Sequence, residues 1–220
     1  MNFAPGGNKL SGFCGCVANN QHSVDFEIVP KVVDPFEGSA LEIKKPGTVL
    51  QWLRLYRLYQ SAFPANEKKP FSMICSMQKK KKTDIWYCEE KGKFVGLVIT
   101  INGSDKILLD YLAVEKNCRG QGFGSKILKR MRKQYGDKGL FLEIEVVTKK
   151  ANNYEERKRR KKFYLSNGMT EMHTFVELFG VDMELLGFDC NLTFEEYHEF
   201  YRDNYSEWAA EHVKKGRKEV

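Results

Sequence analysis

The centre of the chain predicts a strand, a glycine-rich loop and a helix in direct succession. KILLDYLAV (106–114) is the strand, and RGQGFGS (119–125) is the loop. Apolar residues then recur on one face of a helix that ends near Gly136: Phe123, Ile127, Leu128 and Met131. Glycines let the backbone approach a ligand closely, and a helix N-terminus offers unpaired N–H groups and a partial positive charge. The segment therefore indicates a site for a pyrophosphate, which needs no metal.

The spacing of the glycines excludes two common nucleotide-binding motifs. A P-loop requires G-x-x-x-x-G-K-[ST], which is absent from the chain. A Rossmann fingerprint requires G-x-G-x-x-G, whereas Gly120, Gly122 and Gly124 are spaced G-x-G-x-G and two hairpins precede them. The pattern that remains is R-x-x-G-x-G, from Arg119 to Gly124.

The order of the other elements predicts a mixed α/β fold. Trp52, Leu55 and Tyr59 belong to one apolar helical stripe, which Pro64 ends. LFLEIEVV (140–147) reads as a strand buried inside a sheet, and T-F-E-E from Thr193 is a capping box. The order β-α-α-β-β-β-α-β-α-β-β-α predicts a mixed, largely antiparallel sheet flanked by helices. Further strands are predicted at 40–44, 85–89, 94–101, 173–178 and 182–188, and further helices at 71–80 and 154–166.

The chain divides into three predicted parts. Residues 1–38 are rich in Gly, Asn and Pro and form an N-terminal extension, 39–190 form the folded domain, and 191–220 form a C-terminal helix with a basic tail. No apolar run is long enough to span a bilayer, and the N-terminus lacks a signal peptide pattern. The six scattered cysteines include no C-x-x-C pair, so we expect free thiols, no metal and a cytoplasmic protein.

Charge is unevenly distributed along the chain. The formal net charge is +7, with basic runs at 79–82 (KKKK) and 157–162 (RKRRKK). From Val176 to Glu211 ten acidic residues stand against the single Arg202. Two readings remain open at this point: two sites for ligands of opposite charge, or solvated helix faces.

Two motifs together resemble the GNAT superfamily of N-acetyltransferases, in its bacterial type. R-x-x-G-x-G at 119–124 is similar to its acetyl-CoA pyrophosphate loop, and FYLSNGM (163–169) is similar to its ending around a helical tyrosine. LYQSAFPANEKKP (58–70) resembles the first-helix region of bacterial members. The element order from Ala40 to Phe188 resembles the whole superfamily core. The resemblance implies a cytoplasmic enzyme that transfers an acetyl group directly from acetyl-CoA to a primary amine.

The resemblance also implies the residues that hold acetyl-CoA. The backbone of the fourth strand pairs with the pantetheine arm, and the loop amides hold the pyrophosphate, reinforced by the charge of Arg119. Arg157 and Arg160 stand where many members have an Asn and a small residue, so Asn152 or Asn153 is expected to replace that Asn. The implied cofactor contacts are Leu112, Ala113, Val114, Arg119, Gly120, Gln121, Gly122, Phe123, Gly124, Ser125 and Asn153.

The catalytic assignments follow from the same resemblance. Tyr164 is the expected general acid for the departing thiolate, the alternative being a tyrosine that only packs on the sheet. Glu143, Glu145 and Asp110 are alternative general bases, because carboxylates on central strands are costly unless functional or paired. Deprotonation through water is the further alternative.

The acceptor is expected to be cationic. Glu177, Asp182 and Glu184 lie in the acidic stretch after the core and would attract a polyamine, an aminoglycoside or a lysine-bearing peptide. Two other functions stay open: a toxin-like acetyltransferase acting on aminoacyl-tRNA, which the basic runs favour, and a non-catalytic acyl-CoA sensor. A homodimer is compatible with the sequence, and neither a membrane nor a nucleic acid is the expected partner.

Overall fold

A single eight-stranded sheet organises the protein, in the order β1-β2-β3-β4-β5-β7-β6-β8. The structure is a computed structural model that describes residues 41–65 and 67–217. The predicted extension at 1–38 and the last three residues of the basic tail lie outside the described residues. The strands are β1 Leu41–Lys44, β2 Thr83–Glu90, β3 Lys93–Asn102, β4 Lys106–Val114, β5 Gly139–Glu145, β6 Thr170–Leu178, β7 Val181–Phe188 and β8 Val213–Lys215.

The β4–β5 pair is parallel, and the other neighbouring strands pair antiparallel. This confirms the predicted mixed, largely antiparallel sheet. The helices are α1 Val49–Ala62, α2 Phe71–Lys79, α3 Phe123–Tyr135, α4 Tyr154–Ser166, α5 Phe194–Asn204 and α6 Glu207–Glu211. Thr48 caps α1 and Thr193 caps α5, each in a capping box whose partners are Gln51 and Glu196.

Side chains alternate between the two faces of the sheet, as the period of a strand requires. On one face, α3 and α4 cover a core that includes Ile107, Leu140 and Leu142. On the other face, α1, α2 and α5 cover two apolar clusters, one around Tyr59 and one around Phe141. A residue on β4 or β5 therefore faces either α3 and α4 or the opposite set of helices.

Strands β4 and β5 part soon after they meet. Their pairing covers Lys106–Leu108 against Gly139–Phe141 and ends there. Beyond this point β4 stays paired with β3, and β5 stays paired with β7. A bulge in the β3–β4 register leaves Asp110 without a β3 partner just where the two strands separate. The result is an opening in the middle of the sheet, between the C-terminal parts of β4 and β5.

The C-terminal segment completes the sheet. The predicted helix at Thr193 is present as α5, and β8 follows it and pairs with β6 at the edge of the sheet. Tyr197, Phe200 and Ala210 of this segment are buried against the core. The sequence did not predict β8, which is three residues long and carries no alternating pattern.

We expect Gly96→Ala to destabilise the protein by about 1–3 kcal/mol, because a Cβ at this β3 position overpacks the sheet. The added atom would lie 2.5 Å from the carbonyl oxygen of Ala113 and 3.1 Å from Ile127. Urea unfolding would measure the change. Gly47→Ala is the matched control, because its Cβ would meet no atom closer than 3.9 Å. Equal free energies of unfolding for the two variants would contradict the prediction.

Candidate active site

The glycine loop adopts a backbone that favours glycine. Gly120 and Gly122 have φ of 74° and 78°, in the left-handed region. Gly122 is the N-cap of α3, and it caps the helix without a side chain. The first helical hydrogen bond runs from the N–H of Lys126 to the carbonyl of Gly122 (3.1 Å). The N–H groups of the preceding turn, including those of Gly124 and Ser125, therefore have no partner within the helix.

Side-chain contacts hold this loop to the sheet. Arg119 donates from Nε to the carbonyl of Val114 (3.1 Å), and Gln121 donates to the carbonyl of Asn117 (2.9 Å). Gly124 lies against α4, since a Cβ there would be 3.1 Å from the ring of Phe163. The loop is thus fixed between the end of β4 and the helix that carries FYLSNGM. Its outer side is exposed at Arg119, Gly120, Gln121 and Gly122.

The end of β4 borders the opening in the sheet. Leu112, Ala113 and Val114 pair with β3 along one edge. Their other edge faces the opening, because β5 has already separated from β4. Backbone N–H and C=O groups on such an edge need partners. An extended ligand lying beside β4 can supply them in the manner of an added strand.

Tyr164 lies on α4 next to the loop. It packs against the core beneath α3 and α4, with its ring centroid 5.1 Å from that of Phe163. Burial raises the pKa of Tyr164 to about 12, and the nearby Arg160 offsets this shift in part. The phenol is therefore protonated at neutral pH, as a proton donor has to be.

Glu145 and Asn153 are tied to the arginines of α4. Arg157 binds Glu145 through Nη2 (2.6 Å) and Asn153 through Nε (2.7 Å). Arg160 lies 3.5 Å from the second oxygen of Glu145. Two guanidinium groups therefore contact the two oxygens of this carboxylate, which leaves neither oxygen free to bind a substrate amine. The side-chain amide of Asn153 is also engaged, donating to Glu145 at 3.3 Å.

Asp110 holds an ammonium group. Both of its oxygens accept hydrogen bonds from Lys69 Nζ, at 2.7 and 2.9 Å, and only 7% of the Asp110 side chain is exposed. Lys69 also donates to the hydroxyl of Tyr205 (3.1 Å). It lies in the connection between α1 and α2, forty-one residues from Asp110 in sequence.

Glu143 is buried on the same face of the sheet as Asp110. The hydroxyls of Tyr197 and Tyr201 both donate to its Oε1, at 2.7 and 2.8 Å. Burial raises the pKa of Glu143; the hydrogen bond from Tyr197 and the charge of Lys69 act against this, and the charge of Asp110 acts with it. Asp110 and Glu143 thus flank the opening from β4 and β5, and they interact electrostatically across it.

The three acidic residues expected to bind the acceptor are elsewhere. Glu184 is 3% exposed, and both of its oxygens accept hydrogen bonds from Lys161 Nζ, at 2.8 and 2.7 Å. It faces α4, on the opposite side of the sheet from Glu143. Asp182 lies opposite Glu177 at the end of the β6–β7 hairpin, and Glu177 pairs with Lys214 (3.2 Å). Glu184 therefore forms a buried ion pair with Lys161 on the α4 side of the sheet, away from the opening.

Four residues of this region were not predicted from the sequence: Lys69, Tyr197, Tyr201 and Tyr205. The last three recur at i, i+4 and i+8, which places them on one helix face. That spacing, behind a predicted capping box, was the signal that could have found them. Lys69 belongs to no sequence pattern of this kind.

Two features are absent from the part of the chain that the structure describes. Within residues 41–65 and 67–217, no group of three or more His, Cys, Asp or Glu side chains is arranged to hold a metal ion. No helix in the described part of the chain has the length and apolar character needed to cross a membrane.

The chain is similar in sequence and fold to known acetyltransferases. Residues 81–171 match the family model described as "Acetyltransferase (GNAT) domain". YjbC of Bacillus subtilis (strain 168), provisionally described as an acetyltransferase, is 31% identical over 104 residues, or 47% of this chain and 52% of YjbC. The match thus spans about half the length of this curated relative.

Two solved structures share the fold. A GNAT-family protein of Bacteroides thetaiotaomicron, also provisionally described as an acetyltransferase, has a TM-score of 0.61 at 17% identity, covering 74% of this chain and 94% of that one. An aminoglycoside 6'-N-acetyltransferase complexed with coenzyme A has a TM-score of 0.54 at 14% identity, covering 67% and 96%. At these identities the likeness concerns the fold.

We expect the free energy of unfolding to fall with rising pH because of Glu143. Its folded-state pKa lies above the ordinary value of 4.5, so the folded protein keeps a proton that the unfolded chain has already lost. The stability contributed by this proton is complete below the ordinary pKa and is lost as pH rises through the folded one. Glu143→Gln removes this loss, so its stability relative to wild type improves between about pH 4.5 and pH 8.

Urea unfolding at the two pH values measures this difference. Glu199→Gln, on the exposed side of α5, controls for the removal of one negative charge. A constant difference in stability between wild type and Glu143→Gln over the whole range would refute the prediction.

Proposed function

We propose that this protein transfers an acetyl group from acetyl-CoA to a primary amine of a small cationic molecule or peptide, because residues 81–171 match the GNAT acetyltransferase model and a protein of the same fold binds coenzyme A. One observation carries the proposal. The opening between β4 and β5 is bordered by a backbone anion site on one side of the sheet and by two carboxylates on the other.

The donor fits the loop and the strand edge. Atoms added at Gly120 or Gly122 would meet nothing within 4 Å, so the loop surface is open, and the first-turn N–H groups of α3 can bind a pyrophosphate. The edge of Leu112 to Val114 that faces the opening is suited to the amide groups of a pantetheine arm, although the carbonyl of Val114 already accepts from Arg119. Acetyl-CoA, when bound, supplies the activated acetyl thioester.

Asp110 is the best placed of the three candidate bases. Glu145 is paired with Arg157 and Arg160, and Glu143 is buried and accepts two tyrosine hydroxyls. Asp110 lies at the opening and already binds a primary ammonium group, that of Lys69. In the proposed reaction Asp110 accepts the proton of the acceptor amine, and Tyr164 donates a proton to the departing thiolate.

The acceptor class follows from the charges around the opening. The carboxylate of Asp110 and the rings of Tyr111 and Tyr205 favour a cationic amine. The structural similarity to an aminoglycoside acetyltransferase is in keeping with such a substrate. Glu177 and Asp182, at the end of the β6–β7 hairpin, remain candidates for outer contacts with a longer acceptor.

A nucleic-acid acceptor is less well supported. Within the basic run 157–162, Arg157, Arg160 and Lys161 are already paired with carboxylates. These pairs reduce the positive charge available for phosphates. The proposal includes a bacterial, cytoplasmic enzyme, in keeping with the free thiols of Cys75, Cys88, Cys118 and Cys190.

The test is a thiol-release assay with acetyl-CoA and a panel of polyamines, aminoglycosides and lysine peptides. We expect release of coenzyme A that depends on at least one amine. In parallel, calorimetry measures the binding of acetyl-CoA to the protein. Binding of acetyl-CoA without turnover of any amine would instead favour the acyl-CoA sensor, and salt-sensitive binding of tRNA would favour the nucleic-acid acceptor.

We expect Tyr164→Phe to lower kcat by about 100-fold, the usual effect of removing a general acid. The KM for acetyl-CoA should stay unchanged, since the ring still packs beside Phe163. Steady-state kinetics measures both constants. Tyr56→Phe, on the exposed side of α1, is the matched control. Wild-type kcat in Tyr164→Phe would show that this tyrosine only packs on the sheet.

A further inference from the structure

The ammonium group of Lys69 occupies a cage suited to an amine substrate. Asp110 accepts two of its hydrogen bonds, at 2.7 and 2.9 Å, and the Tyr205 hydroxyl accepts a third at 3.1 Å. Lys69 Nζ also lies 4.8 Å from the ring centroid of Tyr205 and 5.3 Å from that of Tyr111. A carboxylate with aromatic rings is a typical environment for a bound primary ammonium. We call Asp110, Tyr111 and Tyr205 the amine cage.

The backbone of Lys69 is fixed on both sides of this contact. Its N–H donates to the hydroxyl of Tyr111 (3.1 Å), and its carbonyl accepts from the hydroxyl of Tyr59 (2.8 Å). Tyr111 in turn donates to the carbonyl of Glu67 (2.9 Å). Tyr59 and Tyr111 are buried. Lys69 is therefore held in the cage by the core, whereas an ordinary surface lysine samples many positions.

The amine cage lies beside the proposed donor site. Asp110 is the bulged residue at which β4 and β5 part. Leu112, the first residue proposed to bind the pantetheine arm, follows two positions later, which is about 7 Å along a strand. The side chain of Lys69 is 26% exposed, so it is not sealed off from solvent.

We propose that Lys69 is itself an acetylation site, modified by acetyl-CoA bound to the same molecule. The inference rests on the proposed function. Asp110 takes one proton from the Lys69 ammonium, and the freed amine forms a C–N bond to the acetyl carbonyl carbon while the C–S bond breaks. The nitrogen loses its second proton, the coenzyme A thiolate gains one, and the net proton released passes to solvent. The products are acetyl-lysine and coenzyme A.

Acetylation removes the positive charge that Lys69 places in the amine cage. Acetyl-lysine is neutral, so it no longer forms an ion pair with Asp110. The carboxylate is then available to an external amine. Lys69 thus acts first as an internal acceptor and afterwards as a neutral wall of the acceptor site.

The experiment incubates the full chain with acetyl-CoA in the absence of any amine and maps acetylated peptides by mass spectrometry. We expect Lys69 to become acetylated at a rate independent of protein concentration. Lys106 is the internal control: its side chain is 24% exposed and pairs with Asp105 at 2.6 Å, but it lies at the paired end of β4. Acetylation of Lys106 should stay at the level that acetyl phosphate produces, because that reagent acetylates lysines without catalysis.

Two variants sharpen the test. Asp110→Asn should slow acetylation of Lys69 by about 100-fold, because the proton acceptor is lost. Lys69→Arg should keep a positive charge inside the amine cage while abolishing the modification. Circular dichroism checks that both variants fold, and calorimetry checks that both bind acetyl-CoA.

Three results would overturn the inference. Amine turnover with Lys69 unmodified would remove it while leaving the proposed function intact. Acetylation of Lys69 no faster than that of Lys106, or at a rate proportional to protein concentration, would show chemical or intermolecular modification. Failure to bind acetyl-CoA would remove the inference together with the proposed function.

Discussion

The separation of β4 from β5 is the feature on which the rest of the site depends. Each strand is held on its other side, β4 by β3 and β5 by β7, so the sheet tolerates a gap where a parallel pair would otherwise continue. The gap leaves strand edges unpaired and brings Asp110 and Glu143 to its rim. The glycine loop then begins within a few residues of the end of β4, so this strand positions both the loop and Asp110, whereas β5 positions Glu143.

Periodicity and local turn signals predicted most of the fold. The apolar stripe of α1, the hairpin strands, the helix after the glycine loop and the capping box at Thr193 are all local patterns, and each is present. Strand β8 was not predicted, because three residues carry no period and their place is decided by pairing with β6. Lys69 was missed for the same reason: its partner Asp110 is distant in sequence, and only the folded chain brings the two together.

The sequence offered three carboxylates as bases without a way to rank them. Their partners distinguish them. Glu145 meets two arginines, Glu143 meets two tyrosine hydroxyls, and Asp110 meets a primary amine. The resemblance to a family supplied the positions, and α4, α5 and the α1–α2 connection give the three carboxylates different neighbours.

The position of the tyrosines in the chain has a consequence for synthesis on the ribosome. Tyr197, Tyr201 and Tyr205, which contact Glu143 or Lys69, all come from the segment that also supplies β8. A nascent chain that has emerged only to β7 already holds the glycine loop, Tyr164 and both carboxylates. It lacks the hydroxyls that satisfy the buried Glu143 and one wall of the amine cage. The surroundings of Glu143 and Lys69 are therefore the last part of this region to be synthesised.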